Sequence, residues 1–389
     1  MALPAHVINF PASTNTVRVY VVDSTSDITV PNAFLFGPSV PGFELLKNGN
    51  SFSFLIEHTV DGKTRKVLFD LGTRTDWATG FSPAALKGLE HLMTLKSSTG
   101  EPAAALFAAK DVHTVLKDGG VDPDSVEAIV WSHAHIDHTG NPALFGPGTA
   151  LVVGPNYAPC NHGLSPHVHT HAEKGEGEGE GDAPPPRLLP GYPEDPESLL
   201  VETDYKGREL RQIKQEEFTV TIGGFGALDY FGDGSFYLLD TPGHAPGHLC
   251  GLARVSSEDG GHFVLMAGDA FHHMGELRPN PYRPLPKEYV DSKLLSQIEG
   301  SAPDKPLFAP AGAMHLNAGE ATATLVKMQA IDSDPNVFII AAHDMHVFAA
   351  LEAEDRRGFF PQGTINDFVE RGLVAQTEWT FLKDVEHLK

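Results

Sequence analysis

Apolar residues collect in a series of short runs along the chain, each closed by a polar or turn-forming residue. VRVYVVDS (17–24), SFSFLIEHT (51–59), KVLFDLG (66–72) and EAIVWSH (127–133) make up the first group. ALVVGP (150–155), SFYLLDTPGH (235–244), HFVLMAGD (262–269) and NVFIIAAHD (336–344) make up the second. These runs are rich in β-branched and aromatic residues and are bounded by Gly, Pro or Asp, which predicts strands. Between them the apolar spacing widens to three or four. PAAALFAAKDVHTVLKDGG (102–120), stopped by glycines, predicts a helix, and GEATATLVKMQAI (319–331) and INDFVERGL (365–373) predict two more. Strands precede helices and the order repeats in the second half. That predicts an α+β chain of layered sheets with helices outside.

One segment breaks the pattern. Residues 155–196 contain PHVHTH, an alternating Gly/Glu tract and a triple proline, without apolar periodicity. A connection of this length reads as an inserted loop, a candidate lid. The strand patterns on its two sides need each other for one core, so residues 1–389 are expected to form a single domain.

Composition narrows the function classes. The chain is 41% hydrophobic and 20% charged, a globular balance. With 28 basic against 51 acidic residues the net charge is −23, which disfavours nucleic acid or an anionic membrane as partner. Two cysteines, Cys160 and Cys250, make no disulfide scaffold. The opening MALPAHVINFPAS has no basic, apolar leader, and no run of roughly 18 apolar residues would span a bilayer. The expectation is a soluble cytoplasmic protein, a monomer or homodimer, acting on a small molecule.

Twenty histidines stand out, and their placement carries the chemistry. WSHAHIDHTG (131–140) sets His133, His135, Asp137 and His138 just past a strand. Alternation there would turn His133, His135 and Asp137 to one side and His138 to the other. Imidazoles and carboxylates are good zinc ligands, yet six residues cannot enclose two ions, so partners must come from elsewhere. His244, Asp269, His343 and Asp70 each lie at the end of another apolar run, where a polar group needs a partner or a metal.

His133-Ala134-His135-Ile136-Asp137-His138 matches the HxHxDH signature of the metallo-β-lactamase superfamily. FDLG, TPGHAPGH, AGD and AAHD match its other motifs in order, so the resemblance runs from about residue 50 to 345. It implies an αβ/βα sandwich of four layers, with long inserted loops and two Zn2+ at the sheet edges. By position, His133, His135 and His244 would hold one ion, Asp137, His138 and His343 the other, and Asp269 would bridge them. Asp70 would fix a ligand histidine, while His248 would be structural. A hydroxide shared by the two ions would attack the scissile carbonyl, and Asp137 would carry a proton to the leaving group. In the lactonase branch a tyrosine follows the bridging aspartate by three residues. His272 stands there in this chain and is the candidate replacement. Phe34, Leu35, Phe36 and Phe271 are candidates for a substrate wall. His162, His167, His169 and His171 lie in the insert and read as solvated, or as part of the lid.

Among the superfamily's branches, diiron flavoproteins carry Glu where His135 stands. Nucleases need a basic surface. Glutathione thioesterases need a basic C-terminal site, but Arg356 and Arg357 sit amid Glu352, Glu354 and Asp355. The motifs are most similar to lactonases and to fungal enzymes that open lactams, lactones and benzoxazolinone-type compounds. The expectation is therefore a dizinc hydrolase of a small cyclic amide or ester. The alternatives are a metal-dependent thioesterase or an inactive metal-binding scaffold.

Overall fold

The computed structural model describes residues 3, 8–97, 100–155, 189–312 and 314–389. Two six-stranded sheets dominate it. One runs Arg18–Val22, Ser53–Val60, Lys63–Phe69, Ala128–Val130, Ala150–Val153 and Leu210–Gln212 in spatial order. The other runs Val220–Ile222, Phe225–Asp229, Phe236–Asp240, Leu249–Ser256, His262–Met266 and Val337–Ile340. All eight runs read as strands from their apolar pattern hold one.

Side-chain parity sorts these strands into layers, because successive residues face opposite ways. Val19, Val21, Phe54, Ile56, Phe69 and Val130 pack across the middle against Phe236, Leu238, Val264, Met266, Phe338 and Ile340. The alternate residues Tyr20, Leu55, Leu68 and Ile129 face outward against Val112 and Leu116 of the helix Val112–Asp118. On the far side Tyr237, Leu239, Phe263 and Leu265 meet Leu325, Met328 and Ile331 of the helix Ala318–Asp332. The result is the expected helix–sheet–sheet–helix sandwich. Each fully buried large apolar side chain contributes about 1.5–3 kcal/mol to holding it.

Two helix expectations are corrected. In 102–120 only Val112–Asp118 is helical, while Ala105–Ala108 is a strand. Those four residues pair antiparallel with Ser26–Thr29, so tertiary pairing overrides the helical preference of alanine. Residues 365–373 are mostly turns, and a helix begins only at Leu373–Thr377. Here the chain serves the edge of the first strand. Ile365 N–H donates to the Val19 carbonyl (2.9 Å), and the Asn366 side chain accepts from Val19 N–H (2.9 Å) and donates to the Val17 carbonyl (2.7 Å).

A third sheet, Leu45–Gly49, Ser26–Pro31 and Ala105–Ala108, was not anticipated. With the helix Pro83–Met93, capped by Ser82, it covers the sandwich edge where the functional motifs gather. Just past Ala150–Val153, a Cβ on Gly154 would sit 1.9 Å from the carbonyl of Gly247. The chain therefore enters the insert pressed against the His244–His248 turn.

Candidate metal centre

The strand Ala128–Val130 delivers the chain to His133 and His135 in extended form, and a single helical turn, Ile136–Thr139, comes next. Alternation thus places the first two histidines, but Asp137 and His138 are aimed by the helical turn. His244 lies in the turn after Phe236–Asp240. That turn needs Gly243, whose φ is +127° and whose Cβ would meet the Ala321 nitrogen at 2.1 Å. Asp269 follows His262–Met266, and His343 follows Val337–Ile340.

The structure brings all seven side chains together around Asp269. Its Oδ1 lies 3.1 Å from His138 Nε2 and 3.2 Å from His343 Nε2. Its Oδ2 lies 3.5 Å from His244 Nε2 and 3.7 Å from His133 Nε2. His244 Nε2 is 3.2 Å from His133 Nε2 and 3.0 Å from His135 Nδ1. Asp137 Oδ2 is 3.5 Å from His343 Nε2 and 3.8 Å from His138 Nε2. Two donor groups result, His133/His135/His244/Asp269 and Asp137/His138/His343, each with its donor atoms within 4.8 Å of one another.

The donor chemistry fits divalent cations. Burial, reinforced by neighbouring imidazoles, holds His133 and His244 well below the usual histidine range and His135 at about 4. These rings are neutral, with lone pairs available. Burial pulls the same way on His138 and His343, but the carboxylates of Asp269 and Asp137 outweigh it and raise both. Asp269 is held well below the usual carboxylate range against the effect of its burial, by His138, His343 and His272. The second group therefore sits where positive charge is favoured. The buried His138 Nε2 and Asp269 Oδ1, close as they are, make no hydrogen bond with any described residue. A shared cation would satisfy both.

Surrounding groups fix the rings. Asp70, buried and at φ +60°, accepts from Ser132 N–H (2.6 Å) and Ser132 Oγ–H (2.7 Å), and receives His138 Nδ1–H at 2.9 Å. His343 Nδ1–H donates to the Asn50 carbonyl at 2.7 Å. Both contacts leave Nε2 free to face the centre. His248 accepts the backbone N–H of Asp269 at 3.1 Å and meets Thr241 Oγ1 at 2.9 Å, the structural position expected for it.

His272 lies 3.3 Å through Nε2 from Asp269 Oδ2. It lines two cavities that meet at the centre. One, of about 80 Å3, is walled by Ile28, Val30, Leu35, Leu46, Leu89 and Leu106 and floored by His135, Asp137, Asp269, His272 and His343. The other, of about 540 Å3, shares Leu46, His272 and His343 and reaches outward to Lys47 and Lys383. Of the proposed wall residues, Leu35 lines the first cavity and Phe271 the second, while Phe36 packs on Phe43 and Phe308. Phe34 is half-buried. Sequence reasoning missed the third sheet's contribution to this wall, and it missed His315, buried 5.1 Å from the His244 ring. His162, His167, His169, His171 and most of the proposed lid lie outside the described residues. No helix among the described residues is long and apolar enough to cross a membrane.

A sequence profile of the metallo-beta-lactamase superfamily matches residues 46–338. The gamma-lactamase FDB1 of Fusarium pseudograminearum is 35% identical over 98% of this chain and 85% of its own length. The cytochrome P450 monooxygenase mpaDE of Penicillium brevicompactum is 33% identical over 98% of this chain, which spans only 39% of that longer protein. Among solved structures, a B. thuringiensis AiiA mutant with N-decanoyl-L-homoserine at its active site superposes with a TM-score of 0.51. It covers 89% of this chain and 98% of its own at 16% identity, a likeness of fold.

Proposed function

The chain belongs to the metallo-beta-lactamase superfamily, and from that premise we propose that it is a dizinc hydrolase opening a small cyclic amide or ester: a lactam, a lactone or a benzoxazolinone-type cyclic carbamate. The observation that carries the reading is the division of the two Asp269 oxygens between two sets of imidazole nitrogens at the floor of an apolar cavity. The identity to a gamma-lactamase across nearly the whole chain supports the substrate class. The donor set is complete, which favours an enzyme over a scaffold.

His133, His135 and His244 would hold one ion and Asp137, His138 and His343 the other, with Asp269 shared between them. Such ions supply a water acidified to a pKa of about 7 and polarisation of the scissile carbonyl. The chain's own groups do the rest. The leucine and isoleucine wall excludes bulk water and orients the apolar part of the substrate. Asp137 is the least buried of the seven and faces the cavity, so it is placed to pass a proton to the departing nitrogen or oxygen. His272 Nε2, beside Asp269, is placed to hold the carbonyl oxygen as an N–H donor.

Purified protein should carry two zinc ions per chain and open members of a panel of lactams, lactones and cyclic carbamates faster than acyclic thioesters. Undiminished hydrolysis after complete metal removal would end this reading. Preference for thioesters would favour the thioesterase alternative.

A further inference from the structure

We propose that His315 is a positioning residue that accepts the Nδ1–H of His244 and so ties that ligand to the wall of the apolar cavity. The inference rests on the metal-centre reading proposed for this chain. When His244 Nε2 faces the centre as a lone-pair donor, its Nδ1 must carry the proton. That Nδ1 is buried and has no partner among the described residues. His315 presents the complementary vacancy. Its Nε2–H donates to the Leu35 carbonyl at 2.7 Å, which leaves Nδ1 an acceptor, also buried and without a partner among the described residues. The two rings stand 5.1 Å apart at 83°, each with a nitrogen within 4.8 Å of the other's. The rings as placed make no hydrogen bond to each other; one formed when His244 holds a cation would satisfy a donor and an acceptor that are otherwise costly to bury.

The backbone holds the two rings side by side. Leu316 N–H donates to the His244 carbonyl (2.8 Å) and Asn317 N–H to the Gly243 carbonyl (2.9 Å), while Thr324 Oγ1 donates to the Pro242 carbonyl (2.7 Å). On the other side Met314 N–H reaches the Phe34 carbonyl (3.1 Å) and Ala311 N–H the Leu35 carbonyl (3.2 Å). His315 thus stands between the His244 turn and Leu35, whose side chain lines the cavity. His272 is the competing partner, with its ring 5.3 Å from His315 and 4.8 Å from His244. Its nitrogens are turned toward carboxylates, Nε2 at 3.3 Å from Asp269 and Nδ1 at 3.9 Å from Glu276, although neither makes a hydrogen bond with any described residue.

The test is competition for zinc between a chromophoric chelator and the metal-free protein, with metal stoichiometry measured in parallel. His315→Phe keeps the ring and removes the acceptor. It should weaken the His133/His135/His244 half of the centre about 10- to 100-fold, the usual effect of losing such a partner, while stoichiometry stays at two. His315→Gln can donate to Leu35 and accept from His244, and should recover to within a few-fold of wild type. Wild-type affinity in His315→Phe would overturn the proposal. So would a third bound zinc in wild type that His315→Phe loses, because His315 would then itself be a ligand. If His315→Phe does not fold, His315→Met, apolar and flexible, replaces it in the same comparison with His315→Gln. A wild-type protein that binds no zinc would instead sink the metal-centre reading.

Discussion

Replacing Asp70 by asparagine changes one oxygen for one NH2 group and should disable half of the centre. Asp70 is buried and takes three hydrogen bonds, two from Ser132 and one from His138 Nδ1–H. In Asp70→Asn the carbonyl oxygen can still serve Ser132 N–H. The new NH2 then faces Ser132 Oγ and His138 Nδ1, where it needs an acceptor. The imidazole answers by moving its proton to Nε2, which removes the lone pair facing Asp137, Asp269 and His343. A hydrogen bond to a charged group contributes about 1.5–3 kcal/mol, and at about 1.4 kcal/mol per decade its loss equals roughly 10- to 150-fold in affinity. The effect should fall mainly on the Asp137/His138/His343 ion, because Asp70 bonds His138 directly and reaches His133 only through Ser132 Oγ, which lies 3.0 Å from His133 Nδ1. Titration of metal-free protein with zinc against a chelator should show one step close to wild-type affinity and one weakened by that factor. Two unchanged steps, or loss of the other step, would refute the tautomer argument. The fold should survive. Burial raises the Asp70 carboxyl, so the folded state holds its proton more tightly than the unfolded state. Its contribution to stability is accordingly lost as pH rises through the raised value, and asparagine carries no such penalty at neutral pH.

Three further outcomes are expected. Gly243→Ala, at φ +127° with Ala321 in the way, should cost about 1–3 kcal/mol for the backbone alone, and thermal unfolding with and without zinc should show a smaller zinc stabilisation as His244 shifts. Leu46→Asp sets a charge where the two cavities meet; KM for an apolar cyclic substrate should rise about tenfold or more, with zinc content unchanged by metal analysis. Asp384 has its carboxyl held well below the usual carboxylate range, against its own burial, by hydrogen bonds from His273 and His346. A depressed carboxyl stabilises above its unfolded value near 3.8 and loses that effect as pH falls through the folded value; Asp384→Asn should therefore cost about 1 kcal/mol at neutral pH and show a shallower acid decline in a stability–pH series.

The sandwich and the donor set were legible because strand period and turn punctuation are local signals. KVLFDLG, EAIVWSH, HFVLMAGD and NVFIIAAHD each announce both a strand and the polar residue at its end. The third sheet was not legible. SDITVP is too short and too polar to read alone, and ALFA looks helical until it pairs with a segment some eighty residues earlier. The cavity wall built by Ile28, Val30 and Leu106 went unseen with it. His315 was hidden for a different reason. A single histidine in a turn carries no periodicity, and its importance comes only from the unpaired nitrogen of His244 across the fold. The helix expected at 365–373 failed because Asn366 and Ile365 serve the backbone of the first strand instead.

The meeting of Gly154 with Gly247 sets a boundary on inheritance. A side chain at Gly154 would run into the Gly247 carbonyl at 1.9 Å and one at Gly247 into the Pro155 carbonyl at 2.5 Å, backbone atoms that no rotamer change can clear. The turn that carries His244 therefore holds its place only with glycine at both positions, which fixes where the insert departs.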